Sequence, residues 1–190
     1  MATLNFLTSN AGKLAEATDL FAPLGYEVQS FTGEVIEPQA DDLGTVALAK
    51  IAQGVELLAG ENRFHEGLLV EDSGLFIDAL GAFPGVYSAH VESTIGCEGI
   101  LRLLDENRSA FFMTVAAYWT GEVVEVFVGR CDGVIATEMR GEGGFGYDPI
   151  FIPLGSEDGR TFAEMSHQEK AEMSHRGIAL ASLADFLGGQ

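Results

Sequence analysis

The apolar run Gly67-Leu68-Leu69-Val70 ends in two adjacent carboxylates, Glu71 and Asp72, followed by Ser73-Gly74-Leu75, and the rest of the chain is arranged around this stretch. Such a run reads as a strand. Paired acids at a strand end suit a Mg²⁺ site. A hard cation takes oxygen ligands and keeps several waters, and a spare carboxylate can deprotonate one of those waters. A solvated turn would carry the same residues, so the weight falls on what accompanies them.

At 190 residues the chain is long enough for one domain with a substantial core. Its two cysteines, Cys97 and Cys131, lie far apart with no second thiol or histidine at ligand spacing, which supports neither a disulfide framework nor a zinc site. Met1 leads straight into Ala2-Thr3-Leu4 without the basic start of a signal peptide, and no apolar run reads as long enough to span a bilayer. The expectation is a soluble cytoplasmic protein. Ten basic residues against 29 acidic ones give a formal charge of −19, a field that repels nucleic acid and anionic membranes. A phosphate-ester substrate would have to be met locally, by a few cations and a divalent metal. Only three lysines are present, Lys13, Lys50 and Lys170, against seven arginines. Acid excess with scarce lysine also fits adaptation to high salt.

Taken in order, residues 2–7 read as a short buried strand. Thr8-Ser9-Asn10-Ala11-Gly12-Lys13 leads from it into a helix through Leu14, Ala17, Leu20 and Phe21. Unsatisfied N–H groups at such a helix start, with hydroxyl and amide side chains and a lysine, make a compact anion cradle, although Ser9 or Asn10 would equally serve as a simple cap. The stretch lacks the second glycine and Lys-Ser/Thr pair of a P-loop. A second strand is expected at 26–31, and Pro38 keeps the segment around Glu37 extended. Glu37 is then a metal ligand or an ordinary loop acid. Leu43, Val46, Ala47, Ile51, Val55 and Leu58 predict an amphipathic helix over 41–58, on which Lys50 would be solvated. A helix is expected over 94–107, a hairpin from runs 110–119 and 123–129, and a further extended segment at 133–138.

Gly141-Glu142-Gly143-Gly144-Phe145-Gly146 matches G-x-G-x-x-G, but Tyr147-Asp148-Pro149 follows where a dinucleotide site needs a helix, so a Rossmann site is rejected. Glycines around Phe145 and Tyr147 would let backbone and an aromatic face approach a flat ligand, with Asp148 as the polar discriminator; a glycine-rich surface loop is the competing account. In the terminal helix Lys170 and Ser174 would share a face, with His175 and Arg176 pointing onward; a solvated charged turn would look the same. Helix and strand alternate around a central hairpin, which indicates one mixed α/β domain over residues 1–190.

Assembled, the sequence resembles the inosine triphosphate pyrophosphatases, the Ham1-like family. The motifs that carry the resemblance are Thr8–Lys13, Glu37, Glu71–Leu75, Phe83-Pro84-Gly85-Val86-Tyr87-Ser88, Gly144–Pro149 and Ser174-His175-Arg176. It implies a mixed, elongated central sheet flanked by helices, in two lobes with the active-site cleft between them, assembled as a homodimer. It also implies Mg²⁺-dependent hydrolysis of ITP, dITP and XTP to the monophosphate and pyrophosphate. Residue by residue, it implies that Thr8, Asn10 and Lys13 hold the triphosphate within the turn that also contains Ser9, Ala11 and Gly12. Glu37 and Asp72 would bind the metal, Asp72 would be the general base, and Ser73, Lys50 and Lys170 would contact substrate. Phe145, beside Gly146, would stack on the purine, Tyr147 and Asp148 would border it, and His175 with Arg176 would address its 6-keto edge. Ala171 and His90 depart from residues common in the family, asparagine and arginine, and bear on the base pocket.

The residues suit this chemistry without the name. Splitting an α-β phosphoanhydride needs a directed water, a metal to absorb charge and cations for the departing pyrophosphate. Donors at His175 and Arg176 would donate to a keto oxygen and oppose the amino group of adenine. Three rivals are a Maf-type pyrophosphatase acting on dTTP, UTP or modified pyrimidines, a catalytically silent nucleotide-binding module, and a purely structural acidic domain.

Overall fold

The computed structural model describes residues 2–189. Six strands, β1 (Ala2–Leu7), β2 (Tyr26–Phe31), β3 (Leu68–Ile77), β4 (Ser109–Trp119), β5 (Val124–Ile135) and β6 (Phe151–Pro153), form one sheet in the order β2-β1-β3-β4-β5-β6. Strand β1 runs parallel to both β2 and β3, whereas β5 and β6 are antiparallel. The sheet is therefore mixed, and the fold is α/β as the alternation of elements implied. Among the described residues six α-helices accompany it: α1 (Ala11–Phe21), α2 (Leu43–Gly60), α3 (Ser88–Thr94), α4 (Gly96–Leu103), α5 (His167–Met173) and α6 (His175–Gly188).

The chain divides into two compact units. The first comprises residues 1–72, 114–128 and 179–190, and the second residues 73–113 and 129–178, so β3, β4 and β5 each have residues in both. The core of the first unit gathers Leu4 and Phe6 of β1, Ala17 and Phe21 of α1, Leu69, Ala116 and Leu180 and Leu183 of α6. The apolar spacing that predicts α1 is thus the spacing that buries it. In the second unit Leu75, Ile77, Ile100, Phe112, Ile135, Phe151 and Phe162 form the core, and both cysteines lie in it. Burial pushes the Cys97 thiol up to about 11 and that of Cys131 up to about 12.

Four element boundaries differ from those read in the sequence. Strand β3 does not end at its acids but runs on for ten residues through Glu71, Asp72 and Ser73, because Leu75 and Ile77 beyond them are buried again. The helix expected over 94–107 is two helices, broken where Gly96 takes the left-handed conformation with φ +60°, and it stops at Leu103 because Leu104 is extended. The runs at 123–129 and 133–138 merge into β5. The terminal helix is interrupted at Ser174, which is extended with ψ 152°, so Lys170 and Ser174 do not share one helix face. The Gly141–Gly146 loop opens no long helix; a three-residue 3-10 turn, Asp148–Ile150, leads straight into β6. Helix α2 amends the expectation about bilayers. By length and composition alone its 18 residues, of mean hydropathy 1.2, could cross one. It nevertheless carries Lys50 and Glu56, and it buries Leu43, Val46, Ala47, Ile51 and Leu58 as a core helix does.

At Gly74 strand β3 comes close to the backbone of Gly85. A Cβ at this position would collide with the carbonyl of Gly85, which neither rotamer change nor side-chain movement can relieve. Gly74→Ala is expected to lower stability by about 2–3 kcal/mol, measured as a fall in the denaturant midpoint. An unchanged midpoint would contradict this packing.

Candidate active site

In the first unit, α1 begins at a cap made by its own turn. Asn10 accepts from the Lys13 backbone N–H at 3.1 Å, and Thr8 Oγ1 accepts from the Asn10 N–H at the same distance. Ser9, Asn10 and Ala11 are exposed, and Gly12 is half-buried. The cap fixes where Lys13 starts, and the lysine then reaches across to β3. Its Nζ lies 3.2 Å from Glu71 Oε2 and 3.4 Å from the Glu71 carbonyl. Glu71 is 3% exposed and also accepts from Thr114 Oγ1 at 3.4 Å.

Asp72 meets the second lysine. Lys50 Nζ lies 3.6 Å from Asp72 Oδ1 and 2.6 Å from Glu37 Oε1, so the lysine expected to be solvated on α2 is instead a largely buried bridge between two carboxylates. Burial raises the Asp72 carboxyl above the usual carboxylate range, against the pull of Lys50 and Lys13; Glu71 and Glu37 add to the rise. Burial opposes the charge on Lys50 as well, yet Asp72, with Glu37 and Glu71, outweighs it and holds the ammonium above its ordinary value. Three carboxylates thus face two ammonium groups. Among the described residues no three His, Cys, Asp or Glu side chains converge as a self-sufficient metal site. The donor set nonetheless fits Mg²⁺, which is held by one or two carboxylates plus waters and substrate phosphates. Glu37 and Asp72 are two such carboxylates, already converging on one cation.

The second unit carries the remaining candidates. Lys170 Nζ lies 2.6 Å from Asp148 Oδ2, with both residues at most 5% exposed. The same Oδ2 accepts from the Phe145 N–H at 2.8 Å, so one carboxylate ties α5 to the glycine loop. Gly144, at φ +70°, sits so close to this carboxylate that a Cβ would displace it. The cations of Lys170 and Arg176 lie 4.7 and 5.3 Å from the centre of the Phe145 ring. Arg176 also donates to Ser73 Oγ at 3.1 Å. Tyr147 lies in the apolar core with its hydroxyl donating to the Ser88 carbonyl at 2.9 Å, and burial raises that phenol well above its usual range. His175, the first residue of α6, is 3% exposed and stacks on Phe112 with ring centres 4.4 Å apart and planes 9° apart.

The structure therefore brings Lys13, Lys50, Glu37 and Asp72 together in the first unit and Ser73, Phe145, Asp148, Lys170 and Arg176 together in the second. Sequence reasoning gave no separate role to Glu71, Thr114 or Phe112. Strand β3 is buried on both faces from Leu68 to Glu71, so alternation could not tell which acid points inward. Phe112 is one apolar residue in an apolar run.

A mixed α/β sheet whose central strand carries lysine-bridged carboxylates fits a hydrolase acting on phosphoanhydride bonds. The model of the Ham1 family matches residues 4–186. A dITP/XTP pyrophosphatase of Thermococcus kodakarensis is 52% identical over 97% of this chain and 96% of its own, and one of Saccharolobus solfataricus is 43% identical over 97% and 93%. A solved structure of a Ham1 protein from Coxiella burnetii superposes with a TM-score of 0.82 at 31% identity, covering 100% of both chains. The chain belongs to the Ham1 family.

Removing one partner of a buried ion pair leaves the other charge uncompensated. Lys170→Met is expected to destabilise the protein by about 3–5 kcal/mol, and Asp148→Asn in the same chain should recover part of that loss. Denaturant titrations of the single and double variants check this, and additive losses would contradict the pairing.

Proposed function

We propose that this chain is a nucleoside triphosphate pyrophosphatase that hydrolyses the non-canonical purine nucleotides ITP, dITP and XTP to the monophosphate and pyrophosphate, acting as a single domain over residues 1–190. The observation that carries this reading is the pairing of the scarce lysines with buried acids on β3, in a family whose relatives bear the name dITP/XTP pyrophosphatase. Ammonium groups held beside the turn that opens α1 can exchange part of their present pairing for the charge of a bound phosphate.

In this account the turn Thr8–Lys13 addresses the triphosphate: Thr8, Asn10 and Lys13 hold it, with Ser9, Ala11 and Gly12 offering backbone. Lys50 contributes a second cation. Glu37 and Asp72 would hold Mg²⁺, which when bound would neutralise charge on the phosphate oxygens. Asp72, on the strand beside Lys50, takes a proton from the attacking water. Phe145 stacks on the purine, Ser73 contacts the substrate, and Tyr147, Asp148 and Gly146 border the base, with Lys170 contributing beside them. His175 and Arg176 donate toward the 6-keto oxygen, and an adenine amino group there would meet donor with donor. The enzyme works in the cytoplasm as a homodimer, without nucleic-acid or membrane partners. The pyrimidine-directed alternative is not favoured by the relatives, whose printed names specify dITP and XTP.

A nucleotide panel with and without Mg²⁺, with pyrophosphate release coupled to inorganic pyrophosphatase, tests the reading. Wild type is expected to turn over ITP, dITP and XTP with Mg²⁺ and to leave ATP and UTP nearly untouched. Asp72→Asn should lower turnover by at least about a hundredfold, within the range a positioned acid-base group contributes, and still bind nucleotide. His175→Ala or Arg176→Ala should narrow the ITP-to-ATP ratio. Hydrolysis of UTP in preference to ITP would overturn the substrate assignment, and full activity in Asp72→Asn would overturn the base.

A further inference from the structure

Helix α6 starts abruptly. Ser174 is extended, its hydroxyl accepts from the Gly177 N–H at 3.0 Å, and His175 is the first helical residue. This fixes the backbone of His175, while rotation about the terminal side-chain bond of a histidine is intrinsically broad. Phe112 of β4 lies flat against the ring. The two rings lie 4.4 Å apart and within 9° of parallel, in a site where Phe112 is 7% and His175 3% exposed. Phe112 is itself immobilised by other rings, packing edge-on to Phe151 at 4.7 Å and tilted against Phe162 at 6.3 Å. These two also pack on each other, at 5.2 Å.

The three phenylalanines therefore form a rigid aromatic base on which the imidazole lies flat. A ring lying flat can present its N–H groups only in the plane Phe112 dictates. A donor held in a plane meets a carbonyl oxygen lying in that plane at a favourable angle, whereas an imidazole free to tip out of it would hold the same oxygen less well. The structural arrangement around Arg176 is complementary, because its donation to Ser73 and its place beside Phe145 hold the neighbouring reader from another side.

We infer that Phe112 is a specificity-determining positioning residue: by stacking on His175 it holds the imidazole plane and so strengthens the discrimination between 6-keto and 6-amino purines. The inference rests on the functional reading above.

The test compares kcat/KM for ITP and for ATP in wild type, Phe112→Leu, Phe112→Met and Phe112→Tyr, each also made in a His175→Ala background. Phe112→Leu and Phe112→Met keep an apolar filling and lose the stack, which aromatic-pair energies convert to a fall in the ITP-to-ATP ratio of about three- to tenfold. Phe112→Tyr keeps the face and should retain the ratio. In the His175→Ala background none of the three should change the ratio further, a result that simple loss of packing would not produce. The ring-current displacement of the His175 imidazole proton resonances, followed by NMR, should vanish in Phe112→Leu and Phe112→Met and persist in Phe112→Tyr. An unchanged ratio in the two stack-less variants, or the same fall with His175 absent, would overturn the positioning role. Failure of the wild type to split ITP at all would remove the functional reading and the inference with it, an outcome distinct from an active enzyme with an unmoved ratio.

Discussion

The buried carboxylate of Glu71 and its neighbour Asp72, each facing an ammonium group, are the constraint on which the first unit depends. Two adjacent acids inside a strand, one of them 3% exposed, are tolerable only if opposite charge is brought to them. Helix α1 brings Lys13 and α2 brings Lys50. The Asn10 cap and the Asp42 cap, where the Asp42 carboxylate accepts from the Thr45 N–H at 2.8 Å, therefore do more than end two helices; they fix the starting points of the segments that deliver these lysines. Three carboxylates there share two ammonium groups, so the arrangement keeps a residual negative charge.

The second unit solves a different problem with similar means. A loop rich in glycine has little intrinsic preference for one conformation, and here a single carboxylate supplies it. Asp148 gathers the Phe145 N–H and Lys170 Nζ on one oxygen, and Gly144 leaves the space this requires. Aromatic faces then receive the cations and the imidazole: Phe145 faces Lys170 and Arg176, and Phe112 lies against His175. Both devices place polar groups by burying what supports them.

Much of this was legible in the chain. The helical spacing of Leu14, Ala17 and Phe21, the strands at both ends of the hairpin, and the rejection of a dinucleotide site at Gly141–Gly146 all follow from local rules, and the structure has α1, β4 with β5, and a short 3-10 turn at those places. Local rules fell short where distant partners decide. The acids of β3 read as a strand end because charge normally stops a strand, and only Lys13 and Lys50, 58 and 22 residues away along the chain, make an interior position acceptable. Lys50 read as solvated for the same reason. The break at Ser174 lies between two helical patterns that share one apolar spacing, and the stack of His175 on Phe112 joins residues that no periodicity relates.

Hydrolysis of ITP in ¹⁸O-water, with the products resolved by ³¹P NMR, tests most directly whether the carboxylates and lysines of β3, α1 and α2 direct water to the α-phosphorus of a purine triphosphate. The label is expected in the phosphate of inosine monophosphate, with unlabelled pyrophosphate beside it. Label in pyrophosphate, or release of orthophosphate and a diphosphate, would contradict it.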